Sequence, residues 1–321
     1  MVDLSVNIAG LALSDPLMLG SGPVGIRADD LIAYGQVASA IVTKSISVNP
    51  SPGSPQPRIA KLDRDGMINY EGGPNPGIDA VAETLREVCP LIPCPIIGSI
   101  SPRTLTYSSG LEQMVEKFVK AGARAIELDF KYLYDQAKGR LDFQADNMSS
   151  VLKRVRGVAN TPAIAKLAYG SIDLADLAKA AEDGGAAAIS AINTVFPAMR
   201  ISLRSRRPLL SMNYGGLSGG PIRPLAVAAI FKLREATKLP LIGIGGVTAP
   251  EDVVEFILAG ATAVQVYTAA QIQGPSVFPK LRSGLIELLT NLKVSSISEL
   301  VGAAHDNVRQ VEDRQWDAVA T

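Results

Sequence analysis

The sequence predicts a closed (β/α)8 barrel forming a single domain, and three observations carry that expectation. First, one small-residue pattern returns three times, as AGARAIEL (121–128), GGAAAISA (184–191) and AGATAVQV (259–266). Each copy follows an amphipathic stretch and opens an apolar run. Its glycine therefore reads as a helix C-cap, where a left-handed backbone meets no Cβ penalty. Second, the first two copies begin at residues 121 and 184, the length of two helix-plus-strand units, which is the period of a βα array. Third, most apolar runs are continuous rather than alternating, as expected of parallel strands covered on both faces.

In chain order the predicted strands are Pro16–Gly22, Ala40–Ser47, Pro95–Ser101, Ala125–Phe130, Ala163–Ala168, Ala187–Asn193, Leu241–Gly246 and Ala263–Ala269. Helical stretches such as Leu111–Ala121 and Asp252–Ala259 separate them. Eight strands with helices between them give the (β/α)8, or TIM, barrel; an open doubly wound sheet is the alternative. The barrel is expected over residues 1–303. Residues 304–321, polar but for Trp316 and a few others, are expected to form a loosely docked C-terminal helix. Two connections, 48–77 and 194–223, are too long for simple turns and rich in Gly, Pro, Ser and Asn, which points to functional loops.

The strand ends carry the chemistry, because in such a barrel they all open at one mouth. The first ends in Ser21 and Gly22, leaving room for a flat ligand against backbone. The second ends at Lys44 in IVTKSIS, and the fifth carries Lys166 in IAKLA. A lysine inside an apolar strand costs free energy unless an anion or electron-rich ligand meets it, or unless its stem snorkels to water. The fourth runs into ELDFKYLYD (127–135), bringing Lys131 and Tyr132 to the mouth. The sixth ends in Asn193 and Thr194, and Asn69 lies in the long loop after the second. The seventh ends LIGIGGVTAPED. There Gly245 and Gly246 offer backbone amides, and Thr248 with Glu251 reads as a capping box opening a helix, with Pro250 in its first turn. A helix N-terminus aimed at the mouth suits phosphate. Thr268, in VYTA after the eighth strand, adds a hydroxyl. These glycines could also serve tight turns alone.

Composition excludes several classes. The 31 basic and 31 acidic side chains leave no net charge to hold nucleic acid, and Arg200, Arg204, Arg206 and Arg207 read as a solvated or substrate-gating loop. Cys89 and Cys94 with the sole histidine, His305, cannot build a zinc or iron–sulfur site, so no metal is expected. Unpaired thiols, no leader-like start and no long apolar run suggest a cytoplasmic protein without membrane contact. One histidine excludes a Ser–His–Asp arrangement at the mouth, and no GxxxxGK[ST] loop is present.

Taken together, LSVNIAGLALSDPLMLGSG, VTKSIS, GSPQPRIA, INYEGGPNPG, AKLA, INT, GGLSGGPIRP, IGIGGV and VYTA resemble the dihydroorotate dehydrogenase family of FMN-dependent (β/α)8 barrels, from about residue 4 to about residue 300. The style is nearest class 1, in the branch that works with an electron-transfer subunit, and relatives are commonly homodimers. The resemblance implies that Ser21, Gly22 and Ser99 contact the flavin and that Lys44, beside Ser45, stands where flavin meets substrate. It implies that Lys166 holds the N1–C2=O edge and that Gly216, Gly245, Gly246, Tyr267 and Thr268 hold ring and phosphate. Asn69, Asp129, Asn193, Thr194 and Lys44 would face the substrate. One stretch departs from the pattern. Where class 1 relatives carry Asn-x-Ser-Cys-Pro-Asn with a cysteine base, this chain reads Asp129, Phe130, Lys131, Tyr132, Leu133, Tyr134. The resemblance then implies a redox enzyme on a substrate other than dihydroorotate, with Tyr132 or Lys131 as proton donor. The alternatives are dihydroorotate oxidation with a relocated base, or a barrel that binds flavin or phosphate without turnover.

Overall fold

The computed structural model describes residues 2–308 apart from 64, 102–103, 105–109, 131–133, 136–139, 142–144 and 171–172. Eight parallel strands close on themselves: β1 (Leu17–Leu19), β2 (Ala40–Val42), β3 (Ile96–Ile100), β4 (Ala125–Phe130), β5 (Ala163–Leu167), β6 (Ala188–Ala191), β7 (Leu241–Ile244) and β8 (Ala263–Val266). Each pairs with the next in sequence, and β8 pairs with β1 to complete the ring. All eight expected strands form, most of them shorter at their C-terminal ends. There the chain leaves the ladder to present side chains at the mouth.

Alternation along the strands builds two cores. Ile126, Leu128 and Phe130 of β4 face outward, in the apolar layer shared with the helices, while Ala125 faces the barrel axis. The helices press close where a strand has no side chain. A Cβ on Gly98 would stand 2.6 Å from the Phe118 ring, and one on Gly243 would stand 2.4 Å from the Phe256 ring. Both positions therefore need glycine for the helix to seat.

Inside the barrel, Met18, Ala40, Val42, Ile97, Ala125, Ile164, Ala188, Ile242 and Ala263 form one apolar plug. It is completed by Ile8, Ala9, Leu11 and Leu13 from an antiparallel hairpin, Val6–Ile8 with Leu11–Leu13. This hairpin seals the N-terminal end of the barrel, and the sequence reading did not anticipate it.

The two long connections differ from the expectation of loops. They meet as a four-stranded antiparallel sheet, ordered Val195–Ala198, Gly215–Gly219, Gly66–Asn69, Ile59–Lys61. Strands this short and glycine-rich carry too little apolar periodicity to read from sequence, and the two central ones, Gly66–Asn69 and Gly215–Gly219, pair across some 150 residues of chain. The tip of the second connection, Ile201–Ser202 with Arg207–Pro208, holds Arg200, Arg204, Arg206 and Arg207 in solvent.

After the last long helix, Val277–Asn291, residues up to 308 lie against the barrel: His305 Nε2 is 3.1 Å from the Ala259 carbonyl and its ring stacks on Phe231 at 3.8 Å. The rest of the tail, with Trp316, lies outside the described residues. No helix among the described residues is long and apolar enough to cross a membrane, and no acidic, histidine or cysteine cluster among them could hold a metal ion. Both cysteines are free thiols.

Candidate active site

A cavity of about 310 Å3 opens where the strands end, within the range of roughly 300–1,000 Å3 usual for small-molecule and cofactor sites. One wall is the antiparallel sheet, through Ile59, Met67, Asn69, Phe196, Gly216 and Ser218. The long connections thus act as the side of the pocket.

Its floor is polar because the inward face of each strand changes character toward the mouth. Above the apolar plug lie Ser99, Glu127, Lys166, Ser190 and Gln265, all buried. Lys166 Nζ is 3.3 Å from Glu127 Oε1. Glu127 Oε2 accepts from Ser190 Oγ at 3.0 Å and from Gln265 Nε2 at 2.6 Å. The buried lysine of β5 is therefore answered by a glutamate of β4 that reading the sequence for mouth residues passed over. Alternation from Asp129 back to Glu127 was the available signal.

A second chain of contacts crosses the mouth. Ser45 Oγ lies 3.2 Å from Ser21 Oγ and 3.0 Å from Ser99 Oγ, and donates to Asp129 Oδ2 at 3.4 Å. Asn193 Nδ2 donates to Asp129 Oδ1 at 2.7 Å, and Asn193 Oδ1 accepts from the Thr194 amide at 2.7 Å. Asn69 Nδ2 donates to the Gly216 carbonyl at 3.4 Å. Lys44 Nζ pairs with Glu71 at 2.9 Å, a glutamate in the loop after Asn69 that the sequence reading did not single out.

The end expected to take phosphate differs from the sequence expectation in its cap. The helix is Pro250–Leu258, and its N-cap is Ala249, not Thr248. Asp252, not the exposed Glu251, takes the Thr248 and Ala249 amides, at 2.8 and 2.9 Å, along with the Thr248 hydroxyl. The shorter aspartate at the third helical position reaches back over the first turn. Those two amides are already occupied, so an anion here must rely on the turn before them. There Gly245 and Gly246 hold φ of 136° and 78°, which side-chain-bearing residues rarely adopt. Thr268 Oγ1 meets Ser218 Oγ at 3.0 Å on the facing wall.

Tyr267 crosses in front of Gly22: a Cβ there would fall 2.0 Å from the Tyr267 ring. Burial first, and the Glu71 carboxylate second, push the Tyr267 phenol well above its ordinary range, against a small opposing effect of the Val24 backbone. It is neutral at any physiological pH.

Of the anticipated residues, Ser21, Gly22, Lys44, Ser45, Asn69, Asp129, Lys166, Asn193, Thr194, Gly216, Gly245, Gly246, Tyr267 and Thr268 all line this one cavity. Ser99 does not; it lies fully buried behind Ser45. Lys131 and Tyr132 lie outside the described residues.

A closed parallel barrel with lysines, a glycine turn and hydroxyls gathered at its C-terminal mouth defines an enzyme built around a phosphate-bearing cofactor. The sequence matches the family described as dihydroorotate dehydrogenase over residues 3–289, and the chain belongs to that family of FMN-dependent oxidoreductases acting on CH–CH bonds. It is 37% identical over 305 residues to a protein of Pyrococcus abyssi named dihydroorotate dehydrogenase B (NAD(+)), catalytic subunit, covering 94% of this chain and 99% of that one. A protein of the same name from Thermoplasma acidophilum is 36% identical over 311 residues, covering 95% of this chain and 99% of that one. Among solved structures, a dihydroorotate dehydrogenase from Eimeria tenella in complex with ferulenol has a TM-score of 0.78. It covers 94% of this chain and 89% of that one at 22% identity, a likeness of fold alone.

The residues present fit FMN. The left-handed glycines at 245 and 246 form a side-chain-free turn beside the Thr268 and Ser218 hydroxyls, as a phosphate needs. Gln265 lines the cavity with its buried Oε1 unpartnered among the described residues, an acceptor in want of a donor.

Proposed function

We propose that this chain is the catalytic barrel of an FMN-dependent oxidoreductase that interconverts a C–C and a C=C bond in a small polar substrate other than dihydroorotate. The observation that carries this reading is the Lys44–Glu71 ion pair inside the cavity, which already engages the ammonium best placed to receive a substrate carboxylate. FMN, when bound, supplies hydride exchange at N5 of its ring. Lys166, held by Glu127, would place positive charge at the N1–C2=O edge and favour the reduced, anionic flavin. Gly245, Gly246, Thr268 and Ser218 would hold the phosphate, with Ser21, Gly22 and Gly216 against the ring and ribityl chain. Asn69, Asp129, Asn193 and Thr194 would orient the substrate. Tyr132 or Lys131 would pass the proton at the substrate carbon, since tyrosine at neutral pH is a donor unless a cation lowers its pKa.

A second reading is supported by the full-length relatives named for dihydroorotate oxidation: the chain oxidises dihydroorotate with a base other than the family's cysteine. Those relatives are named catalytic subunits, which supports an electron-transfer partner for this chain as well; with two cysteines it holds no iron–sulfur cluster of its own. Anaerobic addition of dihydroorotate to the FMN-loaded protein separates the readings. Unchanged flavin colour is expected here, and rapid bleaching would establish the second reading in its place.

A further inference from the structure

Glu127 stands behind the cavity wall, not in it. Lys166 and Gln265 line the cavity; Glu127 is fully buried, does not line it, and touches both. Its two oxygens are used differently. Oε2 accepts from Ser190 Oγ at 3.0 Å and from Gln265 Nε2 at 2.6 Å. Oε1 faces Lys166 Nζ at 3.3 Å and accepts no hydrogen bond among the described residues. A charge-assisted N–H···O bond is about 2.7–2.9 Å long. The Lys44–Glu71 pair, at 2.9 Å, is such a bond; the Lys166–Glu127 pair is not. The carboxylate of Glu127 thus meets the lysine's charge without taking one of its hydrogen bonds.

That arrangement bears on whatever Lys166 faces in the cavity. A lone ammonium at the N1–C2=O edge would favour the reduced, anionic flavin strongly, because little water screens a site this buried. With a carboxylate close behind the ammonium, the flavin meets a dipole in place of a full positive charge. Ser190 and Gln265 regulate the strength of that dipole, since each donor to Oε2 draws off part of the negative charge. Four barrel strands supply the set: Glu127 from β4, Lys166 from β5, Ser190 from β6 and Gln265 from β8.

We infer that Glu127 sets the reduction potential of the bound flavin, holding it below the value that Lys166 alone would impose. Glu127 is a positioning residue: it fixes where the ammonium stands and how much of its charge the cavity feels. A flavin held at lower potential gives up its electrons more readily, which suits delivery of hydride to a C=C bond. This deepens the proposed reading and rests on its placement of Lys166.

The test is the reduction potential of the FMN-loaded full chain, read by anaerobic equilibration with an indicator dye of known potential, which needs no substrate. Glu127→Gln keeps the shape and removes the charge. It is expected to shift the equilibrium at least about tenfold toward reduced flavin, a rise of ~30 mV for a two-electron couple. Ser190→Ala keeps the ion pair and removes one donor, so the carboxylate bears more fully on the lysine. It is expected to shift the equilibrium about threefold the other way, a fall of ~14 mV. Loosened packing alone would not move the two variants in opposite directions. A potential unchanged or lowered by Glu127→Gln overturns the inference. If that variant does not fold by circular dichroism, Ser190→Ala decides alone, and a potential unchanged or raised there overturns it. The visible spectrum of the same samples separates the two failures. A colourless unmodified chain ends the flavin reading and this inference with it, whereas a yellow chain whose potential does not move ends this inference only.

Discussion

Lys166 Nζ and Glu127 Oε1 stand 3.3 Å apart inside the barrel, on neighbouring strands, with side chains 7% and 0% exposed. Among the described residues these two buried charges meet each other, and Ser190 and Gln265 donate to the Glu127 carboxylate. Removing one partner of such a pair costs roughly 3–5 kcal/mol, because the other is stranded. Glu127→Gln is therefore expected to lower the free energy of unfolding by about that amount in urea titrations. The double variant Glu127→Gln/Lys166→Met, with no buried charge, should recover much of the loss.

Thr268 and Ser218 face each other across the end of the cavity proposed to take the phosphate. A hydrogen bond to a charged group contributes about 1.5–3 kcal/mol, so Thr268→Val should weaken FMN by roughly tenfold or more. Fluorescence titration of free FMN into the apoprotein measures this. Unchanged affinity would place the phosphate elsewhere.

The strand order was readable because parallel strands buried on both faces are continuous apolar runs, and the AGA-type repeats mark where three of the helices stop. What escaped was completed at a distance. The Gly66–Asn69 strand has four residues and a partner at Gly216–Gly219, so neither segment alone shows a period. Lys44 and Lys166 were legible as anomalies in apolar strands. Their counterions were not, since Glu71 lies in a glycine loop and Glu127 in the middle of a strand, and nothing local pairs them. The helix cap was read one residue early, with Glu251 in place of Asp252, because two acidic residues stand side by side and only backbone geometry decides which turns back.

Tyr132→Phe tests the proton donor. General acid–base groups contribute typically 10²–10⁴-fold, so turnover with the true substrate should fall by at least about 100-fold while FMN content stays the same. Turnover unchanged from wild type would remove Tyr132 from the mechanism and leave Lys131.

Burial raises the thiol of Cys89 and pushes that of Cys94 up from the ordinary 9.0 to about 12, with the nearby Cys89 adding to the latter. A group whose pKa is raised by folding contributes stability that is whole below its unfolded value and lost as pH climbs through the folded one. Stability against urea should then hold steady up to about pH 9 and decline from there toward about 12. A Cys94→Ala variant should show a shallower alkaline decline. Both thiols should alkylate far more slowly near neutral pH in the native protein than in urea.

The most direct measurement is the flavin content of the full chain purified without added cofactor and then incubated with FMN. A yellow protein that carries about one FMN per chain through gel filtration is the predicted result, with Lys166→Met lowering that occupancy. A chain that stays colourless after incubation, while folded by circular dichroism, would contradict the account at its base.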